Sequence, residues 1–364
     1  ICKLLTFYFI EMIQFDCDYC EGAHPLIMEL LMATNMEQTA LYGTDIYCDR
    51  AKEAIKRAIY SGGYTGAEEP AVHFLVGGTQ TNTLAISTLL KPYQGVLAPA
   101  TGHIALHETG AIEAWGHKVL TLPEANGKIT AAQVEEAYIA HYTDVSAEHM
   151  VQPGMVYISQ PTETGALYSL AELEAISAVC RKRELFFYVD GARLGYGLAS
   201  PDADFTLADL ARLTDIFYIG GTKVGALFGE ALVIMNPAIK RDFRYNIKQH
   251  GAMLAKGRLL GLQFLRLFTD NLYLEISKGA VEKAMQIKAV LEECGVEFFF
   301  KGSTNQLFPI FSTEILNRIE ERFKLDYWRP GEKEGTHCVR ICTSWATRQE
   351  NVDALISYLR EVLK

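Results

Sequence analysis

A chain of 364 residues is too long for one small core and suits a large domain with a smaller companion. Hydrophobic content of 49% and charged content of 21% are ordinary for a soluble globular protein. The net charge of −10 argues against a nucleic-acid backbone or an anionic membrane as partner, so any bound anion must be caught by a local pocket.

Along the chain, Ile1–Glu11 comes first, with the apolar run Leu4-Leu5-Thr6-Phe7-Tyr8-Phe9-Ile10. It is far shorter than the roughly 20 residues that cross a bilayer, and no small-x-small cleavage site follows. It reads as an upstream extension ahead of Met12, with a short secretion signal as the alternative. No other segment approaches membrane length, so a cytoplasmic protein is expected. Of the eight cysteines only Cys17-x-x-Cys20 has a suggestive spacing. Reduced structural thiols are expected, with a redox pair or a metal site as alternatives; no second such pair and no HExxH supports zinc.

From Ala51 to Met235 helical and strand patterns alternate, which predicts an α/β domain with a mainly parallel sheet between layers of helices. Helices are predicted at Ala51–Tyr60, Thr81–Leu90, after His103 and at Leu170–Arg183. Strands are predicted at Val72–Val76, Gly95–Ala98, Lys118–Leu122, Met155–Ser159, Leu185–Val189, Ile216–Ile219 and Ala231–Met235. Beyond Pro237 the pattern changes to one long helix, Phe243–Phe268, and a second at Ala280–Glu293. Short strands follow at Val296–Phe300, Leu307–Phe311 and Val339–Cys342, then a closing helix at Asn351–Leu363. The expected organisation is an extension at 1–11, an N-terminal segment and large domain at 12–245, and a smaller α+β domain at 246–364. The cleft between the lobes, at the carboxyl ends of the parallel strands, is the expected site.

The chemistry-bearing residues cluster at those strand ends. Asp190 closes an unbroken apolar run, where it serves either as a helix N-cap or as a buried carboxylate needing a partner. Arg193, one turn on, can pair with it or hold an anion. Lys223 lies in Gly220-Gly221-Thr222-Lys223-Val224-Gly225, beside apolar strands that would lower its pKa and make its amine nucleophilic. A carboxylate and a lysine delivered by successive strands are what pyridoxal 5'-phosphate (PLP) requires: a covalent anchor and a partner for the pyridine nitrogen. Gly78, Thr79 and Gln80 open a helix after a strand, a place where free backbone N–H groups bind phosphate. His103, with His107 and Glu108 nearby, can stack on a pyridine ring and carry a proton. Arg340 begins an apolar strand and is either a surface residue or a carboxylate clamp. No GxGxxG fingerprint points to a dinucleotide.

This ordered set resembles the threonine aldolase and β-eliminating lyase group of fold-type I PLP enzymes, over about Phe15–Lys364. The matching stretches are Val189-Asp190-Gly191-Ala192-Arg193-Leu194, Gly220-Gly221-Thr222-Lys223, Gly78-Thr79-Gln80-Thr81-Asn82, Gly102-His103-Ile104 and Arg340-Ile341-Cys342-Thr343-Ser344-Trp345. The resemblance implies that Lys223 anchors PLP, Asp190 pairs with its nitrogen, His103 stacks on it, and Gly78, Thr79 and Gln80 bind its phosphate. Arg193 and Arg340 would hold a substrate carboxylate. Tyr42, in Tyr42-Gly43-Thr44-Asp45, would reach into a neighbouring subunit's site, in a homodimer or homotetramer. The implied reaction is retro-aldol cleavage of a β-hydroxy-α-amino acid such as threonine, with His103, directly or through water, taking the hydroxyl proton. β-Elimination or racemisation on the same cofactor, and a non-catalytic scaffold that kept the fold, are the alternatives. Two departures stand out. Cys17 replaces the serine usual before the aspartate that resembles Asp18. Gln160-Pro161-Thr162-Glu163-Thr164-Gly165 lacks the histidine many aldolases carry there, which leaves Glu163 or a water as its stand-in.

Overall fold

The computed structural model describes residues 12–364; the reading of Ile1–Glu11 as an extension lies outside the described residues. Seven strands form the central sheet: β1 (Ala71–Leu75), β2 (Gln94–Pro99), β3 (Val119–Leu122), β4 (Gln152–Ser159), β5 (Phe186–Asp190), β6 (Ile216–Gly220) and β7 (Glu230–Ile234). Their order is β1-β7-β6-β5-β4-β2-β3, with β7 antiparallel to both neighbours and the other pairings parallel. The continuous apolar runs of β5 and β6 follow from covering on both faces. Alternate residues of β4 enter different cores, Val156 and Ile158 one, Met155 and Tyr157 the other.

A third core joins Phe15 to Ile287, Phe311, Val339, Ile341 and Leu355. It packs behind a small antiparallel sheet in which Thr336–Cys342 pairs with Ile310–Ser312, Asp326–Pro330 and Gln306–Leu307. The N-terminal segment is stitched into this lobe: Ile13–Gln14 pairs with Phe323–Lys324. Its continuation, Cys17–Cys20, then runs beside the end of the central sheet.

The strands of the central sheet lie where the periodicity predicts them, to within a few residues. The second half departs further. Phe243–Phe268 is two helices, Phe243–Gln249 and Arg258–Leu267, rather than one. Gly251 takes a left-handed conformation (φ +66°) that ends the first helix. Val296–Phe300 forms no strand beyond one bridge, Phe298 to Pro309. Leu307–Phe311 is split at Pro309, which has no N–H to continue a ladder. The region after His103 holds two short helices, His103–Leu106 and Ala111–Ala114. Helices Pro25–Ala33, Ala131–Thr143 and Thr313–Glu320, and strand Asp326–Pro330, were not predicted. The exposed, mixed pattern of Asp326–Pro330 carries no alternation to betray it. No described helix is long and apolar enough to cross a membrane.

Candidate active site

The carboxyl ends of β4, β5 and β6, the turn after β1 and the start of the antiparallel β7 converge on a cleft of about 350 Å³. Asp190, Lys223, His103, Arg193, Gly78 and Thr79 all line it. Residues as far apart in the chain as Gly78 and Lys223 are thus brought together by the order of the strands.

Asp190 is buried and triply held. Its Oδ2 accepts from the Tyr157 hydroxyl (2.7 Å) and from Asn82 Nδ2 (3.2 Å), and its Oδ1 accepts from the Ala192 N–H (3.0 Å). Burial drives the Tyr157 pKa up, and the Asp190 carboxylate adds to this, so the phenol stays a donor. Asn82 also donates to Glu108 Oε1 (2.7 Å) and accepts from Tyr188 (2.6 Å). Glu108 Oε1 lies 2.7 Å from His103 Nδ1. Burial lowers the His103 pKa, but the hydrogen bond to Glu108 and the charge of Asp190 outweigh it, and the net direction is up.

On the other side, the His103 N–H donates to Glu163 Oε1 (2.9 Å), which also accepts from Ser159 Oγ (2.7 Å); the Ser159 and Tyr157 hydroxyls lie 3.2 Å apart. A closed polar circuit therefore runs Asp190, Tyr157, Ser159, Glu163, His103, Glu108, Asn82 and back. Burial pushes the Glu163 pKa up.

Lys223 follows β6. Burial lowers its pKa, and Arg193 lowers it further. Its Nζ lies 5.5 Å from the centroid of the Tyr19 ring. The loop that carries it is pinned by Glu230 at the start of β7, which accepts from the Gly221 N–H (2.9 Å) and the Thr222 hydroxyl (2.8 Å). Burial pushes the Glu230 carboxyl up to about 7.

Four expected site residues stand differently from the expectation. Arg193 is committed to a protein carboxylate: Nε and Nη2 fork onto Asp18 at 2.7 and 2.9 Å, with Asn305 Nδ2 on the same carboxylate at 2.9 Å. Arg340 does not line the cleft; its Nη2 pairs with Asp326 Oδ2 at 2.8 Å, and Nη1 donates to Gln306 (3.3 Å). Gln80 turns back, its Oε1 accepting from the Val76 N–H (3.2 Å), and leaves the helix start to Gly78 and Thr79. Tyr42 sits at a separate small hollow with Gly43 and Arg244, 41% exposed and with φ +58°. Asn82, Tyr157, Ser159, Asp18 and Glu230 were missed by sequence reasoning. Only Asp18, next to the Cys17 departure, carried a signal. The seven cysteines described are all unpaired, and Cys48, Cys180, Cys338 and Cys342 are buried.

Comparison with known proteins agrees with this geometry. The family model described as beta-eliminating lyase matches residues 19–313. The chain belongs to the beta-eliminating lyase family. A low specificity L-threonine aldolase of a Pseudomonas species is 30% identical to this lyase over 358 residues, 96% of this chain and 98% of that protein. A solved structure of Leishmania major threonine aldolase superposes with a TM-score of 0.91 at 44% identity, covering 97% of this chain and all of the other. An aspartate aminotransferase of Thermus thermophilus (TM-score 0.68, 15% identity, 96% of this chain and 91% of the other) shares the fold. The fold is type I and the cofactor of this lyase is PLP.

The residues present fit that group. A helix of 12 residues opens at Gly78 into the cleft, with Gly77 bare of any atom within 4 Å of an added Cβ, so backbone N–H groups are open to a phosphate. A buried carboxylate and a lysine with a depressed pKa line the same space.

Proposed function

We propose that this chain is a low-specificity threonine aldolase, cleaving the Cα–Cβ bond of threonine to give glycine and acetaldehyde. What carries the reading is the placing of Lys223 and Asp190 in one cleft in a chain 44% identical, over nearly its whole length, to a threonine aldolase. When bound, PLP supplies an electron sink for bonds broken at Cα. The protein's part is to bind, orient and move protons. Lys223 would anchor the cofactor, its depressed pKa leaving a larger share of free amine. Asp190, held by a phenol, an amide and a backbone N–H, would pair with the pyridine nitrogen. Gly78 and Thr79 would take the phosphate, with Gln80 fixing the turn from behind. His103, fixed by Glu108, would lie over the ring.

Arg193 stays in this reading as a substrate-carboxylate contact, since it lines the cleft; Arg340 would have to exchange Asp326 for the substrate. The division into large and small lobes belongs to the same reading and is supported by the separate third core, although Phe264, Leu267, Tyr273 and Ala280, beyond the expected boundary at residue 245, pack in the core of the large lobe. So is assembly into a homodimer or homotetramer, with Tyr42 reaching a neighbour's site. Its support is the exposed apolar run Met28, Met32, Met36, Leu41 and Ile46. A cytoplasmic location is supported by the unpaired thiols.

Purified protein incubated with threonine should release acetaldehyde and glycine. Pyruvate from serine or cysteine, without acetaldehyde from threonine, would replace the aldolase by an eliminase. Lys223→Ala should abolish the visible absorption of the bound cofactor and lower the rate by several powers of ten.

A further inference from the structure

The circuit around Asp190 contains one carboxylate that the reading above leaves without a task. Glu163 lines the cleft. Its Oε1 accepts two hydrogen bonds, from the His103 N–H at 2.9 Å and Ser159 Oγ at 2.7 Å. Its Oε2 is shielded from solvent and has no hydrogen-bond partner among the described residues. A buried carboxylate oxygen left without a donor costs free energy unless something occupies it part of the time. With Oε1 saturated by donors, a proton on this carboxyl can sit only on Oε2. The groove beside it is the one that would hold a substrate.

We propose that Glu163 is the residue that exchanges the proton of the substrate's β-hydroxyl. The assignment rests on the aldolase reading. In the cleavage direction Oε2 accepts the hydroxyl proton. The O–H bonding pair becomes the second bond of the aldehyde carbonyl, and the Cα–Cβ bond breaks. The pair left on the glycine carbon is finally taken up by a proton, and Glu163 returns its own proton to solvent. In the synthetic direction protonated Oε2 delivers that proton to the aldehyde oxygen as the carbon–carbon bond forms.

His103, the base expected from the sequence, is the poorer candidate. Its Nδ1 is tied to Glu108, and the net rise in its pKa favours the imidazolium, which has no lone pair to offer. Burial raises the Glu163 carboxyl above its ordinary value, which strengthens it as a base. The titratable and charged groups around it are His103 and Glu108 after β2, Tyr157 on β4, Tyr168 after β4, Asp190 and Arg193 at the end of β5, and Lys223 after β6.

Glu163→Gln keeps an oxygen for the His103 N–H and Ser159 but cannot exchange a proton. In the PLP-loaded enzyme it should lower kcat for threonine cleavage by about 100- to 10,000-fold with KM within a few-fold, and remove the acid limb of the kcat profile. Exchange of glycine's α-hydrogen with deuterated water, followed by NMR, should survive, because glycine has no β-oxygen. Infrared titration of wild type minus variant, without substrate, should show a carboxyl protonating above the usual glutamate range. A variant within about threefold of wild-type kcat with the acid limb intact, or one that loses α-exchange as completely as cleavage, overturns the assignment. If Glu163→Gln does not fold, Glu163→Asp is decisive: a displaced carboxylate should lower kcat while keeping an acid limb, and unchanged kcat refutes it. Wild type that releases no acetaldehyde would sink the aldolase reading itself, and the two failures are thereby told apart.

Discussion

Asp18 and Arg193 show how much of this site is held by charge out of contact with water. Both side chains are nearly inaccessible and meet in a two-point fork. Burial alone would raise the Asp18 pKa; the Arg193 charge and hydrogen bonds overcome it and bring the carboxyl down to about 2 from 3.8. A depressed carboxyl pKa stabilises the fold fully above the unfolded value and loses that contribution as pH falls towards the folded one. The pair should therefore contribute about 2 kcal/mol near neutrality, lost between about pH 4 and pH 2, as a urea titration at several pH values would record. Asp18→Ala strands the Arg193 charge and should cost about 3–5 kcal/mol of unfolding free energy, far more than a surface pair of the same length. At this scale Asp190 and Lys223 stood out because one closes an apolar strand run and the other follows such a run in a glycine-rich turn. Asn82 and Tyr157 were not, since one lies inside a helix and the other inside a strand, and nothing in a periodic pattern marks which interior residue will meet a carboxylate 108 or 33 positions away.

Two glycines decide how closely two helices pack. A Cβ at Gly261 would stand 2.5 Å from Cys48 Sγ and 2.7 Å from the Cys48 Cα, and one at Gly257 would stand 2.5 Å from the Gly43 nitrogen. Helix Arg258–Leu267 thus lies almost backbone to backbone on helix Ile46–Ser61. Gly261→Ala should force them apart and cost about 1–3 kcal/mol, read as a lower urea midpoint with an unchanged slope. Both glycines fall inside the single helix predicted at Phe243–Phe268, and their purpose becomes visible only once the partner helix is in place. The helix at Gly78, by contrast, was readable from the strand-glycine-glycine-threonine order, because its N-terminus is a local feature.

For the whole molecule, the connection of the N-terminal segment to the small lobe matters most. Phe15 sits in the third core, while Asp18, three residues on, pairs with Arg193 of the large lobe. Movement of the small lobe would therefore pull on the cleft wall directly. The exposed methionines offer a test of assembly: Met32, 76% exposed, changed to Asp should lower the mass measured by light scattering at micromolar concentration, and a wild type already monomeric would remove the proposed oligomer. The alternation of strands and helices, the sheet's strands, and the strand-end residues that line the cleft follow from local pattern, since periodicity and chain breaks act over a few residues. The commitment of Arg193 to Asp18, the withdrawal of Arg340 to Asp326 and the circuit that isolates Glu163 were settled only by the tertiary structure. Each depends on which distant carboxylate or donor a side chain meets after burial, and burial brings together residues that no local pattern pairs.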